Sequence, residues 1–210
     1  MLNKLRVLSL LIILSLIMLS LSACEFVTNP YNRLNKLKNE WQDKIIAHFE
    51  ENEEIFNELV NVILEDYPNT DIYLYNESRY GTDEYVIEIN GDKRALDEEN
   101  DFSLSETLTI ERLNKIFCSK EDRKSDGTLK DNILKCYSLS IQPQDNDGED
   151  VWCYFVLLNN IGLVYSNSGK ERVDDFRSVG YFINDNWYIS YFDRALDSYD
   201  HSEIYDRLFN

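Results

Sequence analysis

Glycine and proline are scarce in this chain of 210 residues, with seven of the first and three of the second. That excludes collagen-like and low-complexity architectures and points to long regular elements. Histidine is scarcer still: His48 and His201 are the only two, and neither stands in an HxxxH, HExxH or Cys-x-x-Cys context. No zinc-ligand spacing is therefore present. A Gly-x-Ser-x-Gly elbow, a P-loop and a Gly-rich dinucleotide turn are all absent from the sequence, which removes the motif-bearing hydrolase, NTPase and dinucleotide-binding classes. Positive charge is also short, 21 Lys and Arg against 39 Asp and Glu, for a formal charge of −18. Such a polyanion lacks the cations needed to displace counterions from phosphates, so no nucleic-acid partner is expected.

Long hydrophobic runs are missing too, except at the start. Lys4 and Arg6 precede an uncharged apolar run over residues 7–21, after which come Leu21, Ser22, Ala23 and Cys24. About 15 apolar residues fall short of the roughly 20 that span a hydrocarbon core, so a removable leader is favoured over a permanent helix. Small residues before the Cys suit the extended backbone a peptidase cleft requires, and a thiol directly after them can be alkylated. These four positions resemble the lipobox of a bacterial lipoprotein precursor. The resemblance covers the leader alone. It implies a diacylglycerol thioether on Cys24, cleavage before Cys24, and lipid anchoring at the extracytoplasmic side of a bacterial cell membrane, since two or more acyl chains hold a protein where one does not. No other cofactor is implied.

The expected organisation is a signal peptide over 1–23, a tether over 24–32 and one α+β domain over 33–210. Cleavage would remove Lys4 and Arg6 and leave a charge of −20 on the mature chain. An anionic membrane surface repels such a chain, so the lipid has to supply the anchor. Besides Cys24 the mature chain has Cys118, Cys136 and Cys153. The odd number leaves two arrangements open: a cross-strand disulfide between Cys136 and Cys153, or three buried reduced thiols behaving as small hydrophobes.

From Leu34, apolar residues recur at helical spacing through Trp41, Ile45, Phe49, Ile55, Phe56, Leu59 and Ile63, which predicts a long amphipathic helix ending before Pro68. Its polar stretch 50–54 is a point where the helix kinks or splits. Strands are expected at 72–75 and 85–89, with Asn90-Gly91 turning the chain, and a second helix near 105–118. The last third reads as a β-meander with strands near 134–141, 151–158, 163–166, 179–183 and 187–192, followed by a short helix in the tail docked at an edge. The fold class is thus α+β, a long N-terminal helix packed on a mostly antiparallel sheet.

The acidic turn 145–150 invites a calcium reading, because hard cations take several carboxylate oxygens. Aligning Gly148 with the glycine of an EF-hand loop puts Pro143 at the first ligand position and Tyr154 at the last, so that loop is excluded. Neighbouring acids such as Glu98-Glu99 and Asp174-Asp175 are expected by chance in so acidic a chain and give no warrant for glycosidase chemistry. Aromatics are the remaining signal. Trp152, Tyr154, Trp187 and Tyr188 are the candidate binding surface, since Tyr and Trp on an open sheet face recognise protein or wall partners, whereas on a covered face they only pack. The expected function is a lipid-anchored, non-catalytic binding domain. An envelope hydrolase and an immunity lipoprotein against a secreted toxin stand as alternatives.

Overall fold

The computed structural model describes Ile13 and residues 29–68, 70–76, 85–96, 108–125, 130, 134–143, 151–158, 160–168, 179–192, 196 and 199–210. Leu21, Ser22, Ala23 and Cys24 lie outside the described residues, as does the acidic turn 145–150. Helix α1 runs over Pro30–Asp66, starting within the stretch expected to be a tether. Asn29 caps it, its side chain accepting from the Tyr31 N–H at 2.9 Å, and Pro30 occupies the first turn. Proline there loses no helical hydrogen bond and comes with its φ already set. At the far end the Tyr67 N–H donates to the Ile63 carbonyl and Pro68 follows.

The helix breaks inside the polar stretch, at Asn52, whose φ of −123° and ψ of 16° are not helical. The Asn52 amide donates to the His48 carbonyl at 2.9 Å. In an unbroken helix that carbonyl takes the Asn52 backbone N–H, so side chain and main chain compete for one acceptor and the ladder bends.

Among the described residues eight strands follow: β1 (Ile72–Asn76), β2 (Tyr85–Ile89), β3 (Asp92–Leu96), β4 (Ser138–Pro143), β5 (Val151–Leu158), β6 (Ile161–Ser166), β7 (Val179–Phe182) and β8 (Trp187–Tyr191). They form one sheet in the order β3-β2-β1-β4-β5-β6-β8-β7, every pair antiparallel. Asn90 and Gly91 both have positive φ, 50° and 89°, the backbone of a two-residue hairpin turn whose twist matches its strands. Beyond the turn, β3 has the sequence Asp-Lys-Arg-Ala-Leu and is exposed except at Leu96. Sequence periodicity passes over such a strand. Its charges suit a sheet edge, where they discourage pairing with another chain.

The last third departs from the expected meander. β6 pairs with β8, and β7 stands outside β8 as the edge. Helix α3 (His201–Phe209), capped by Asp200, packs on that edge, with Phe209 against Tyr181 and Tyr191. Between β3 and β4 lies helix α2 (Ile110–Ile116), shorter than the expected 105–118 and capped by Thr109. No helix among the described residues is long and apolar enough to cross a membrane.

The core forms between α1 and one face of the sheet. Phe56 meets Phe155 edge-on at 5.1 Å and stacks on Phe49 at 5.8 Å, while Trp187 packs against Phe49, Phe155 and Tyr165. The indole N–H of Trp187 donates to Asn57 Oδ1 at 2.9 Å, which ties the second half of α1 to β8.

Candidate functional site

Two places carry unused chemistry: the sheet face turned away from α1, and a cleft at the α1 kink. Strand register assigns the first. Ile72, Leu74, Leu139, Ile141, Phe155, Leu163 and Ile189 point into the core, so the residues between them point the other way. Across the strands Tyr73, Ser140, Tyr154, Val164, Tyr188 and Phe182 line up as cross-strand partners. Trp152 joins Tyr154 and Phe182 around Val164 and Tyr188 in a second, smaller apolar cluster.

This arrangement divides the four aromatic residues singled out from the sequence. Trp152 and Tyr154 are half-buried on the second face, and Tyr188 lies there too but is 1 % exposed. Burial pushes its phenol well up, with Tyr154 adding to the shift. Trp187 belongs to the other face and is part of the core, a correction that follows from its being one residue away from Tyr188 on a strand of period two. Among the described residues the exposed aromatic of the second face is Tyr73, at 42 %, with Tyr75 half-buried beside it. Both were legible as strand residues but not as the open end of the row. Two glycines on this face make room for rings. A Cβ at Gly162 would come within 3.1 Å of the Phe192 ring, and one at Gly180 within 2.9 Å of the Ile189 carbonyl and 3.1 Å of the Tyr188 ring.

Of the two cysteine arrangements left open by the sequence, the structure has the buried free thiols. Cys153 pairs with Ile141 across β4 and β5, while Cys136 precedes β4 and bridges in parallel to Phe117. Within β4, Ser138 at the strand start is already three extended residues from the Ile141–Cys153 level, roughly 10 Å, and Cys136 lies before it, against the ~7 Å limit between Cα atoms for a disulfide. All three described cysteines are free and buried. Burial pushes the Cys118 thiol up to about 12 and holds those of Cys136 and Cys153 well above the ordinary value. Protonated thiols of this kind are poor nucleophiles.

The cleft, of about 510 Å³, is lined by His48, Glu51, Asn52, Lys115, Leu134 and Lys135. α1 supplies the first three at its kink, α2 supplies Lys115, and the segment leading into β4 supplies the rest. Lys135 is held from two sides. Its ammonium donates to the Asn114 carbonyl at 2.5 Å and to Asp122 Oδ2 at 3.0 Å. Burial works to raise the Asp122 carboxyl. The Ser119 N–H, the Lys135 ammonium and the Ser119 hydroxyl outweigh it and hold that carboxyl below its usual range.

His48 is the polar centre of the cleft. Burial lowers its pKa, Glu51 opposes that, and Lys135 adds to the lowering, so the ring is neutral at pH 7. Because the Asn52 amide nitrogen donates to the His48 carbonyl, the same nitrogen facing His48 Nδ1 at 3.4 Å makes Nδ1 the acceptor. The ring proton then sits on Nε2, which is buried with no hydrogen-bond partner among the described residues. In the sequence His48 stands in no ligand-spacing context, and nothing there singles out Asn52, Lys115, Leu134 or Lys135. The one local signal was the polar break of an otherwise apolar repeat. His201 lies apart from this site, in the first turn of α3, its Nε2 3.3 Å from the Leu196 carbonyl. Among the described residues no group of three or more His, Cys, Asp or Glu is placed to hold a metal ion. No protein-family model matches the chain, and no curated protein or solved structure shows a significant similarity to it.

Proposed function

We propose that this chain is a bacterial lipoprotein, anchored by a diacylglycerol on Cys24 at the extracytoplasmic side of the cell membrane, whose folded domain binds a protein partner and is not catalytic. The basic start, the apolar run and the sequence Leu21-Ser22-Ala23-Cys24 support the anchor. The observation that carries the binding reading is the aromatic row of the second sheet face, open at Tyr73 and continued through the part-exposed Ser140 and Tyr154. Rings interleaved with hydroxyls offer apolar area and hydrogen bonds on a rigid surface, the composition enriched where proteins meet.

Two measurements test this reading. The intact mass of the protein extracted from native membranes is expected to begin at Cys24 with added acyl groups, and an unlipidated mass retaining Met1 would refute the anchor. A photoreactive residue at Tyr73, on cells producing the full chain, is expected to cross-link one discrete protein that a probe at Tyr199 on the α3 side does not reach. Equal capture from both positions, or capture of wall glycan in place of protein, would refute the partner.

A further inference from the structure

The kink cleft has a donor and acceptor pattern of its own, distinct from the aromatic face. Its cationic side chains come from two elements: Lys115 in the last turn of α2, and Lys135 ahead of β4, while His48 Nε2 is buried behind the cleft wall. The Lys135 ammonium has three N–H bonds, two of which go to Asn114 and Asp122, so one remains for a ligand. That gathering of donors fits a carboxylate, which accepts through two oxygens. Glu51 faces the same space and is close enough to His48 to act on its titration. A second anionic group would meet this carboxylate, whereas an ammonium would pair with it. Leu134 supplies an apolar wall, and a volume of about 510 Å³ lies within the roughly 300–1,000 Å³ of small-ligand pockets.

We infer that this cleft binds a small zwitterion of the amino-acid or dipeptide class, its carboxylate held by Lys115 and Lys135 and its ammonium by Glu51. A simple anion leaves Glu51 uncompensated in a chain that is already strongly acidic, and a simple amine leaves both lysines unused. The Asn52 kink lies in the wall of the site, with His48 and Glu51 on the same stretch of α1.

Calorimetric titration of the full-length protein in detergent at pH 7 decides the matter, with alanylalanine as the zwitterion, propionate as the carboxylate alone and propylamine as the ammonium alone. The expected result is saturable alanylalanine binding at least about tenfold tighter than either single-group probe. Lys115→Gln and Glu51→Gln are each expected to weaken alanylalanine about tenfold. Both positions are exposed, so the fold is retained, which an unchanged thermal melt checks. Glu51→Gln should spare propionate, since that probe has no ammonium to lose. Absence of alanylalanine binding at millimolar concentration, propionate binding as tightly as alanylalanine, or affinity indifferent to both substitutions would each overturn the assignment.

Discussion

The two faces of the sheet are built from the same strands and share every backbone hydrogen bond, yet they have opposite characters. The face under α1 is packed by branched aliphatics and rings, with Phe155, Leu163, Trp187 and Ile189 all essentially inaccessible. The other face alternates rings with Ser, Val and Gly, and its burial is concentrated toward β6 and β8, around Val164 and Tyr188. Toward β1 it opens at Tyr73, and beyond that it ends in the Glu88–Lys93 pair and the charged strand β3. The difference is one of commitment. A covered face stabilises the fold through area removed from water, while a half-open face keeps ring area available for a second molecule.

Substitutions on the two faces of one strand sharpen that contrast. Phe155→Ala removes a ring that packs on Phe56 and Trp187 and is expected to cost about 3–5 kcal/mol in urea unfolding. Gly180→Ala comes next, at roughly 1–3 kcal/mol, because its new Cβ would lie 2.9 Å from the Ile189 carbonyl, a backbone atom that cannot step aside. Gly162→Ala should cost clearly less, since the Phe192 ring it meets at 3.1 Å belongs to a side chain able to turn. Equal losses at the two glycines would mean that the second face is as tightly packed as the first.

Smaller again is the effect of acid on the border of the inner layer, where the His48 ring sits edge-on to Phe56 at 5.8 Å. Burial lowers the folded-state pKa of His48 from 6.5, so as pH falls the unfolded chain takes up this proton before the folded one. Its contribution is present above about pH 6.5 and is lost as pH falls from there through the lower folded-state value. Thermal melts between pH 7.5 and 5.5 should show that loss, and His48→Gln should flatten it. Glu51 and Lys135 act on the same ring in opposite senses, so Glu51→Gln should extend the window to lower pH, with its upper end unchanged, and enlarge the loss. The smallest stability effect is expected from Tyr73→Ala, within about 0.5 kcal/mol, together with a loss of partner capture if the open face binds. A large loss of stability there would show Tyr73 to be a packing residue and remove the contrast.

Much of the fold was legible because its signals are local. The 3.6-residue repeat from Leu34 to Ile63, Pro68 as a stop, Asn90-Gly91 as a turn and the alternation in β4 through β8 each depend on neighbours within a few positions. The break at 50–54 was legible for the same reason, and Asn52 is where it falls. Two local signals were passed over. Asn29-Pro30 is a cap followed by a first-turn proline and starts α1 before Leu34, and Asp92–Leu96 is a strand whose charges hide its period. The candidate sites were less legible. Trp187 and Tyr188 differ by one position and a whole face, and no feature of either residue says which one the helix will cover.

The sequence by itself determined the helices, most strands, the site of the kink and the strongly acidic charge, because each is written in contiguous residues. Only the tertiary structure decided that β8 would insert between β6 and β7, that Cys136 and Cys153 would lie at different levels of the sheet, and that His48, Lys115 and Lys135 would meet in one cleft. Those outcomes join residues tens of positions apart. They depend on which apolar surfaces bury one another most completely, a property of the packed chain as a whole.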